Sequence, residues 1–295
     1  MTLASECSVS LTPEKMNTFN KEKLSFRPSF FDKFAYYLVP ARRKIVLDNI
    51  RLAFGSELAE DEVIKLAQCF YGHCARIILE NLGTSWMSED QIRKQVRVVG
   101  HEIVMKEAQK GRGVLLLTGH FGNWEITPIG AVLQFTAFKN RFHIVRRLLT
   151  NKTFEKILFR RFYKAGLNVI PKKNALSQVL AALKNNDVVA FIMDQYARPD
   201  RDGICVEFFG KKAGTFKSLA LIARETGAPV VPALCYRESH GKHVMRFYEP
   251  LPWIEDTDHD REIYLNTLQY NKMLEKMIRS HPDQWFWFHR RWKNK

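Results

Sequence analysis

His120 and Glu125 are the two residues around which a chemistry can be built. They lie in Thr118-Gly119-His120-Phe121-Gly122-Asn123-Trp124-Glu125, directly after the apolar run Val114-Leu115-Leu116-Leu117. Such a run suits a strand buried in a parallel sheet. Gly119 and Gly122 punctuate a tight turn after it. On one helix a five-residue spacing would set His120 and Glu125 roughly 140° apart. They are therefore expected to face each other across a turn, His120 at the strand end and Glu125 near a helix start. An imidazole with a near-neutral pKa can take the proton of a weak nucleophile such as a hydroxyl. A carboxylate on the other ring nitrogen would fix its tautomer and stabilise the imidazolium. No nucleophilic side chain is then required, because a substrate hydroxyl can attack directly. The bland alternative is a buried histidine satisfied by a neighbouring acid; the strand–turn setting favours chemistry.

Further candidates follow the same strand-end logic. Asp194 closes the apolar run Val188 to Met193, at the sheet edge where α/β proteins place functional groups. It is read as a turn-forming acid, a partner for an Arg, or a residue facing substrate. Arg146 ends the run from Phe142 and is followed by Arg147. Both are candidates for phosphate binding, and Arg146 also for meeting a developing oxyanion. Asn123, inside the turn, is a fourth candidate for substrate contact.

Composition narrows the partners. The chain has 295 residues, 46% hydrophobic and 26% charged, enough for a sizeable core. Its net charge of +15 implies an anionic partner: a nucleic acid, an anionic lipid surface or an acidic protein. Between Lys139 and Lys173 eleven Lys and Arg residues face a single acid, Glu155. No nucleic-acid recognition motif accompanies the charge, and the cations cluster beside the His120–Glu125 turn, so nucleic acid is not expected as a partner. The five cysteines are odd in number and lack Cys-x2-Cys spacing, as reduced thiols would. His240 and His243 form a possible metal pair without a clear third ligand, and no metal is expected. There is no Gly-x-Ser-x-Gly elbow of a serine hydrolase.

The elements that must position these residues follow from periodicity. Residues 1–25 read as a loose polar tail. Residues 26–95 read as a helical, membrane-proximal region. In it, Phe30 to Val39 is a short aromatic-apolar element beside Arg42-Arg43-Lys44, either interfacial or a core helix with a solvated basic end. Residues 61–82 have a clear amphipathic helical period, and Glu80 near its end either pairs with an Arg or is solvated. Residues 96–295 alternate strands and helices, with strands at 113–118, 142–146, 167–170, 188–193, 229–236 and 244–248. The fold class is therefore α/β, a mixed, largely parallel sheet flanked by helices, with an N-terminal helical extension. The tail Trp285-Phe286-Trp287-Phe288-His289-Arg290-Arg291-Trp292 is an interfacial mixture of Trp and Arg or a core segment with a basic end.

Several of these stretches, in this order, carry a resemblance. Thr118 to Glu125, with its His-x4-Glu spacing, resembles the signature of the bacterial lipid A biosynthesis acyltransferases of the lauroyl/myristoyl type, within the lysophospholipid acyltransferase superfamily. Asn49-Ile50-Arg51-Leu52-Ala53-Phe54, Phe208 to Ala213 with Thr226 to Pro232, and Gln284 to Lys293 resemble the family's other conserved segments. The resemblance spans roughly residues 35 to 293. It implies transfer of a fatty acyl group from a thioester on acyl carrier protein to a hydroxyl of a phosphorylated glucosamine lipid. No other cofactor is implied. His120 would be the general base, with Glu125 orienting it, and the oxyanion would meet backbone N–H groups of the glycine turn or an Arg. The family's Asp corresponds to Asp194 and its strand-end Arg to Arg146; Arg147 departs from the Pro that commonly follows. Other acceptors, a lysophospholipid or another glycolipid, stay open. The implied location is the cytoplasmic face of the inner membrane, held peripherally, because Phe30–Val39 is too short for the hydrophobic anchor that family members commonly carry.

Overall fold

The computed structural model describes residues 25–135, 138–147, 152–238 and 241–293. All but the last residue of the expected 1–25 tail lies outside them. So do His240 and the side chains of Lys152, Glu155 and Lys156 from the basic stretch.

Four helices precede the sheet: α1 (Phe30–Leu38), α2 (Arg43–Phe54), α3 (Glu60–Gly83) and α4 (Glu89–Gln95). Ser29 and Asp32 form a capping box that starts α1, satisfying N–H groups the first turn leaves open. α3 follows the amphipathic period: Val63, Leu66, Ala67, Phe70 and Ile77 are buried. α1 and α3 pack together, yet their outer faces stay apolar. Phe30, Phe34, Tyr37, Leu38, Ile78, Leu79, Leu82 and Trp86 are exposed, Phe30 by 85% and Trp86 by 82%.

The remaining chain alternates: β1 (Val96–Val99), α5 (His101–Ala108), β2 (Val114–Thr118), α6 (Ile126–Val132), β3 (Phe142–Arg146), α7 (Lys152–Ala165), β4 (Leu167–Pro171), α8 (Ala175–Lys184), β5 (Val188–Ile192), β6 (Gly203–Phe208), β7 (Lys211–Phe216), α9 (Ser218–Thr226), β8 (Val230–Arg237), β9 (His243–Phe247) and α10 (His259–Ser280). Seven strands form one sheet in the order β1-β9-β8-β2-β5-β3-β4. Every neighbouring pair is parallel except β8 with β9. The sheet is thus mixed and largely parallel, helices flank it and a helical extension precedes it, as the sequence pattern implies. β2 is central and covered on both faces. Leu115 and Leu117 point into a core shared with α2, α3, α8, α9 and α10; Val114 and Leu116 point into a second core under α4 to α7. Two-sided burial is why this strand reads as a continuous apolar run rather than an alternation.

Two pieces differ from the sequence reading. β1 is a four-residue edge strand, too short for its period to register. β6 and β7 form a separate antiparallel hairpin. Its two turn residues, Phe209 and Gly210, both have positive φ (51° and 68°). A two-residue hairpin turn demands that geometry, but Phe-Gly does not announce it as Asn-Gly would. The aromatic tail is core, not interface: Trp285 and Trp287 are fully buried, and buried Arg291 donates to the Gly214 carbonyl and the Thr215 hydroxyl.

Candidate active site

Strand register brings His120 to Asp194. β2 and β5 are parallel neighbours, with Thr118 opposite Ile192. Two residues past each partner stand His120 and Asp194, so the chain emerges from both strands with these side chains adjacent. Asp194 Oδ1 lies 3.0 Å from His120 Nδ1, and Asp194 Oδ2 accepts the His120 backbone N–H at 2.7 Å. The indole N–H of Trp285 donates to the same Oδ2 at 2.9 Å. Asp194 is fully buried. Gly119 makes the approach possible, since a Cβ there would meet Asp194 Oδ2 at 3.0 Å and Phe121 at 2.8 Å. Gly122 has φ 53° and sits against the Cys235 carbonyl, where a side chain would collide at 2.8 Å.

The electrostatics separate the two groups. Burial works against a charged imidazole, but the Asp194 carboxylate and its hydrogen bond outweigh it, and the pKa of His120 is raised. Burial likewise pushes Asp194 up, and the charge and hydrogen bonds of His120 carry it below the carboxylate range. An ionised Asp194 therefore holds the proton of neutral His120 on Nδ1, leaving the Nε2 lone pair free to act as a base. The ring is held edge to face by Trp124, with centroids 5.5 Å apart, and lies near Phe286 and His289.

His120 opens on a cavity of about 1370 Å³. Its polar lining includes Glu125, Arg146, Arg147, Lys172 and Gln195. Its apolar lining reaches both faces of the sheet, through Leu116, Ile144, Ala233, Cys235 and Met245 on the α6–α7 side and Val179, Phe191 and Ile222 on the other. The Arg146 guanidinium lies 3.4 Å over the Phe159 ring and donates to the Arg147 carbonyl at 3.0 Å.

Several expected roles change. The acid on His120 Nδ1 is Asp194; no hydrogen bond joins Glu125 to His120. Glu125 begins α6 and lines the cavity, its pKa raised by burial against the pull of Arg146. The local His-x4-Glu spacing suggested a pair, but a neighbouring parallel strand supplies the partner instead. Asp194 is accordingly not a substrate contact: all its hydrogen bonds go to His120 and Trp285. Asn123 does not line the cavity either. It is fully buried, and its Oδ1 accepts the N–H groups of Glu125 and Ile126 at 3.2 and 3.1 Å, starting α6. Part of the glycine turn is closed to an oxyanion. The N–H groups of His120, Phe121, Gly122 and Glu125 are already donated to Asp194, Gly119, Gln284 and Asn123. Arg146, lining the cavity at this edge, is a group suited to an oxyanion. An Arg partner for Glu80 was one of the two expectations, and Arg237 is that partner. The contacts of Trp285 with Asp194 and of Gln284 with Gly122 were not foreseen, because they join distant segments.

The chain is similar in sequence to known acyltransferases. The family model described as bacterial lipid A biosynthesis acyltransferase matches residues 21–294. A lipid A biosynthesis lauroyltransferase of Escherichia coli (strain K12) is 26% identical over 268 residues, 89% of this chain and 83% of the relative. A lipid A biosynthesis palmitoleoyltransferase from the same organism is 24% identical over 256 residues, 86% of this chain and 79% of the relative. A phosphatidylinositol mannoside acyltransferase of Mycolicibacterium smegmatis is 25% identical over 199 residues, 65% of this chain and 61% of the relative.

Proposed function

This chain belongs to the bacterial lipid A biosynthesis acyltransferase family, and on that footing we propose that it moves a fatty acyl group from an acyl carrier protein thioester to a hydroxyl of a phosphorylated lipid A precursor. The observation that carries the reading is the buried His120–Asp194 pair at the mouth of a deep, largely apolar cavity that also holds Arg146. In the reaction, His120 Nε2 takes the acceptor hydroxyl proton while Asp194 stabilises the imidazolium. The alkoxide forms a C–O bond to the thioester carbonyl. Arg146 meets the oxyanion, and its charge also acts on Glu125 across the cavity. When the C–S bond breaks, the proton on Nε2 passes to the leaving thiolate.

The cations around the mouth, Arg147 and Lys172 among them, suit the acceptor phosphate and an acidic carrier protein. In this reading residues 26–95 are membrane-proximal and residues 96–295 are the catalytic core. Among the described residues no helix is long and apolar enough to cross a membrane. The exposed apolar faces of α1 and α3, with Trp86, would instead rest in the interface of the inner membrane on its cytoplasmic side.

The α6–α7 side of the cavity is the natural channel for the acyl chain. Its lining runs from Ile144 on β3 across Leu116 on β2 and Cys235 on β8 to Met245 on β9. Four inter-strand steps of about 4.8 Å make it roughly 19 Å long. Cys235 and Met245 touch at its far end, sulfur to sulfur at 3.4 Å. Cys235→Leu is expected to shift donor preference towards shorter chains, and Met245→Ala towards longer ones. Each methylene excluded costs about 0.8 kcal/mol, roughly fourfold in kcat/KM, so losing two shifts the ratio more than tenfold. Competition between carrier-protein donors of graded length reads this directly; an unchanged profile in both variants removes the channel assignment.

The mannoside-acylating relative favours a second reading, in which the acceptor is another glycolipid. A panel of a tetra-acylated lipid A precursor, a phosphatidylinositol mannoside and a lysophospholipid decides between them. Preferred acylation of the lipid A precursor is the result expected, and preference for either other acceptor overturns that assignment.

A further inference from the structure

We propose that Glu80, acting through Asn123, is a positioning residue for the catalytic turn. It lies in α3, outside the sheet, yet its carboxylate reaches the turn. Glu80 Oε1 accepts from Arg237 Nε at 2.9 Å, and Oε2 accepts from Arg237 Nη2 at 2.6 Å and from Asn123 Nδ2 at 2.9 Å. The Asn81 side-chain oxygen takes a further donation from Asn123 Nδ2 at 3.1 Å. Asn123 is thereby saturated: its amide donates to two oxygens of α3 while its Oδ1 accepts two N–H groups at the start of α6. The pattern permits one orientation, because a flipped amide would set donors against N–H groups and an acceptor against a carboxylate.

Arg237 ties the same knot to the rest of the fold. Its Nη1 donates to His73 Nδ1 at 2.7 Å, and burial together with the Arg237 charge pushes His73 down to about 3, so that His73 stays a neutral acceptor. The Arg237 backbone exchanges two hydrogen bonds with the Gln284 side chain, and the Gln284 carbonyl accepts the Gly122 N–H at 3.0 Å. Gly122 to Ile126 is therefore clamped from α3, from the end of β8 and from the C-terminal segment.

This clamp fixes what Asp194 does not. Asp194 holds the His120 ring and backbone, but Trp124 and Glu125 depend on Asn123 for their placement. Trp124 packs on the His120 ring and Glu125 faces the cavity, so releasing Asn123 moves both relative to the base. A displacement near 1 Å at a reacting centre costs about a hundredfold in rate.

The inference rests on the reading of His120 as the base, and the test separates the two. Turnover is measured with full-length Glu80→Gln, Asn123→Asp, the double variant Glu80→Gln/Asn123→Asp, and His120→Ala, using an acyl carrier protein donor and a tetra-acylated lipid A precursor. Glu80→Gln weakens the donation from Asn123, and Asn123→Asp sets two carboxylates together. Each is expected to lower kcat about tenfold to a hundredfold, with KM for donor and acceptor nearly unchanged and the melting transition retained. The double variant restores a carboxylate–carboxamide pair and is expected to recover at least a large part of the lost kcat, which a general loss of stability would not do. Wild-type kcat in folded Glu80→Gln overturns the proposal, as does a double variant no better than Asn123→Asp. If Glu80→Gln fails to fold, Asn123→Asp alone decides, by the same kcat criterion. Activity surviving in His120→Ala overturns the base assignment instead, whatever Glu80 does.

Discussion

His120→Ala is expected to reduce acyl transfer at least 10²- to 10⁴-fold, to the edge of detection, while the protein stays folded. That range is what a general base typically contributes. It is a minimum here, because no other described imidazole has the same setting. His289 is near, but burial, with the charges of His120 and Arg42, pushes its pKa down despite Asp194, and Asp194 donates no orientation to it. The fold should survive because Asp194 keeps two of its donors, the backbone N–H of residue 120 and the Trp285 indole. A melt followed by circular dichroism, beside the rate, separates loss of chemistry from loss of structure.

Asp194→Asn has the second largest expected effect, and it leaves a signature in pH. In the catalytic triad of serine proteases the corresponding Asp-to-Asn change lowers kcat by about 10⁴ through the wrong tautomer, and a drop of similar order is expected here. The amide can donate to Nδ1, which would place the imidazole proton on Nε2 and remove the base. The sign of the pH effect follows from the causes of the shift. With Asp194 ionised the pKa of His120 is raised, so the rate in wild type falls with acid at a pH above the ordinary imidazole value of about 6.5. Without the carboxylate only the lowering effect of burial remains, and the acid limb of kcat/KM moves down. A pH–rate profile of the residual activity checks this; an acid limb that stays in place detaches Asp194 from the titrating group.

How far these residues were legible depends on the distance over which they act. The β2 strand, its turn and the start of α6 are local, and the apolar run with its glycines announces them. The helical extension and the sheet class follow from period alone. The partner of His120 does not. Glu125 is the nearest acid in sequence, whereas Asp194 is 74 residues away and reaches Nδ1 through the register of two parallel strands. Its place at a strand end was visible; its target was not, since strand order cannot be read from one sequence. Trp285 shows the same limit. An aromatic–basic tail has the composition of an interface, yet a bridge from Phe121 to Trp285 folds it into the core behind Asp194. Asn123 looked like a binding residue because it sits in the motif. Its contacts to Glu80 and Asn81, more than forty residues earlier, make it a structural hinge pin instead.

The central claim is that His120, held by Asp194, activates a lipid hydroxyl against a carrier-protein thioester. Its most direct test is acyl transfer by the purified protein from labelled acyl carrier protein to a tetra-acylated lipid A precursor, with His120→Ala alongside. The account predicts a labelled, one-chain-heavier lipid in wild type and none above background in the variant. Product formation by folded His120→Ala at a rate near wild type, or a wild type that consumes no thioester at all, would contradict it.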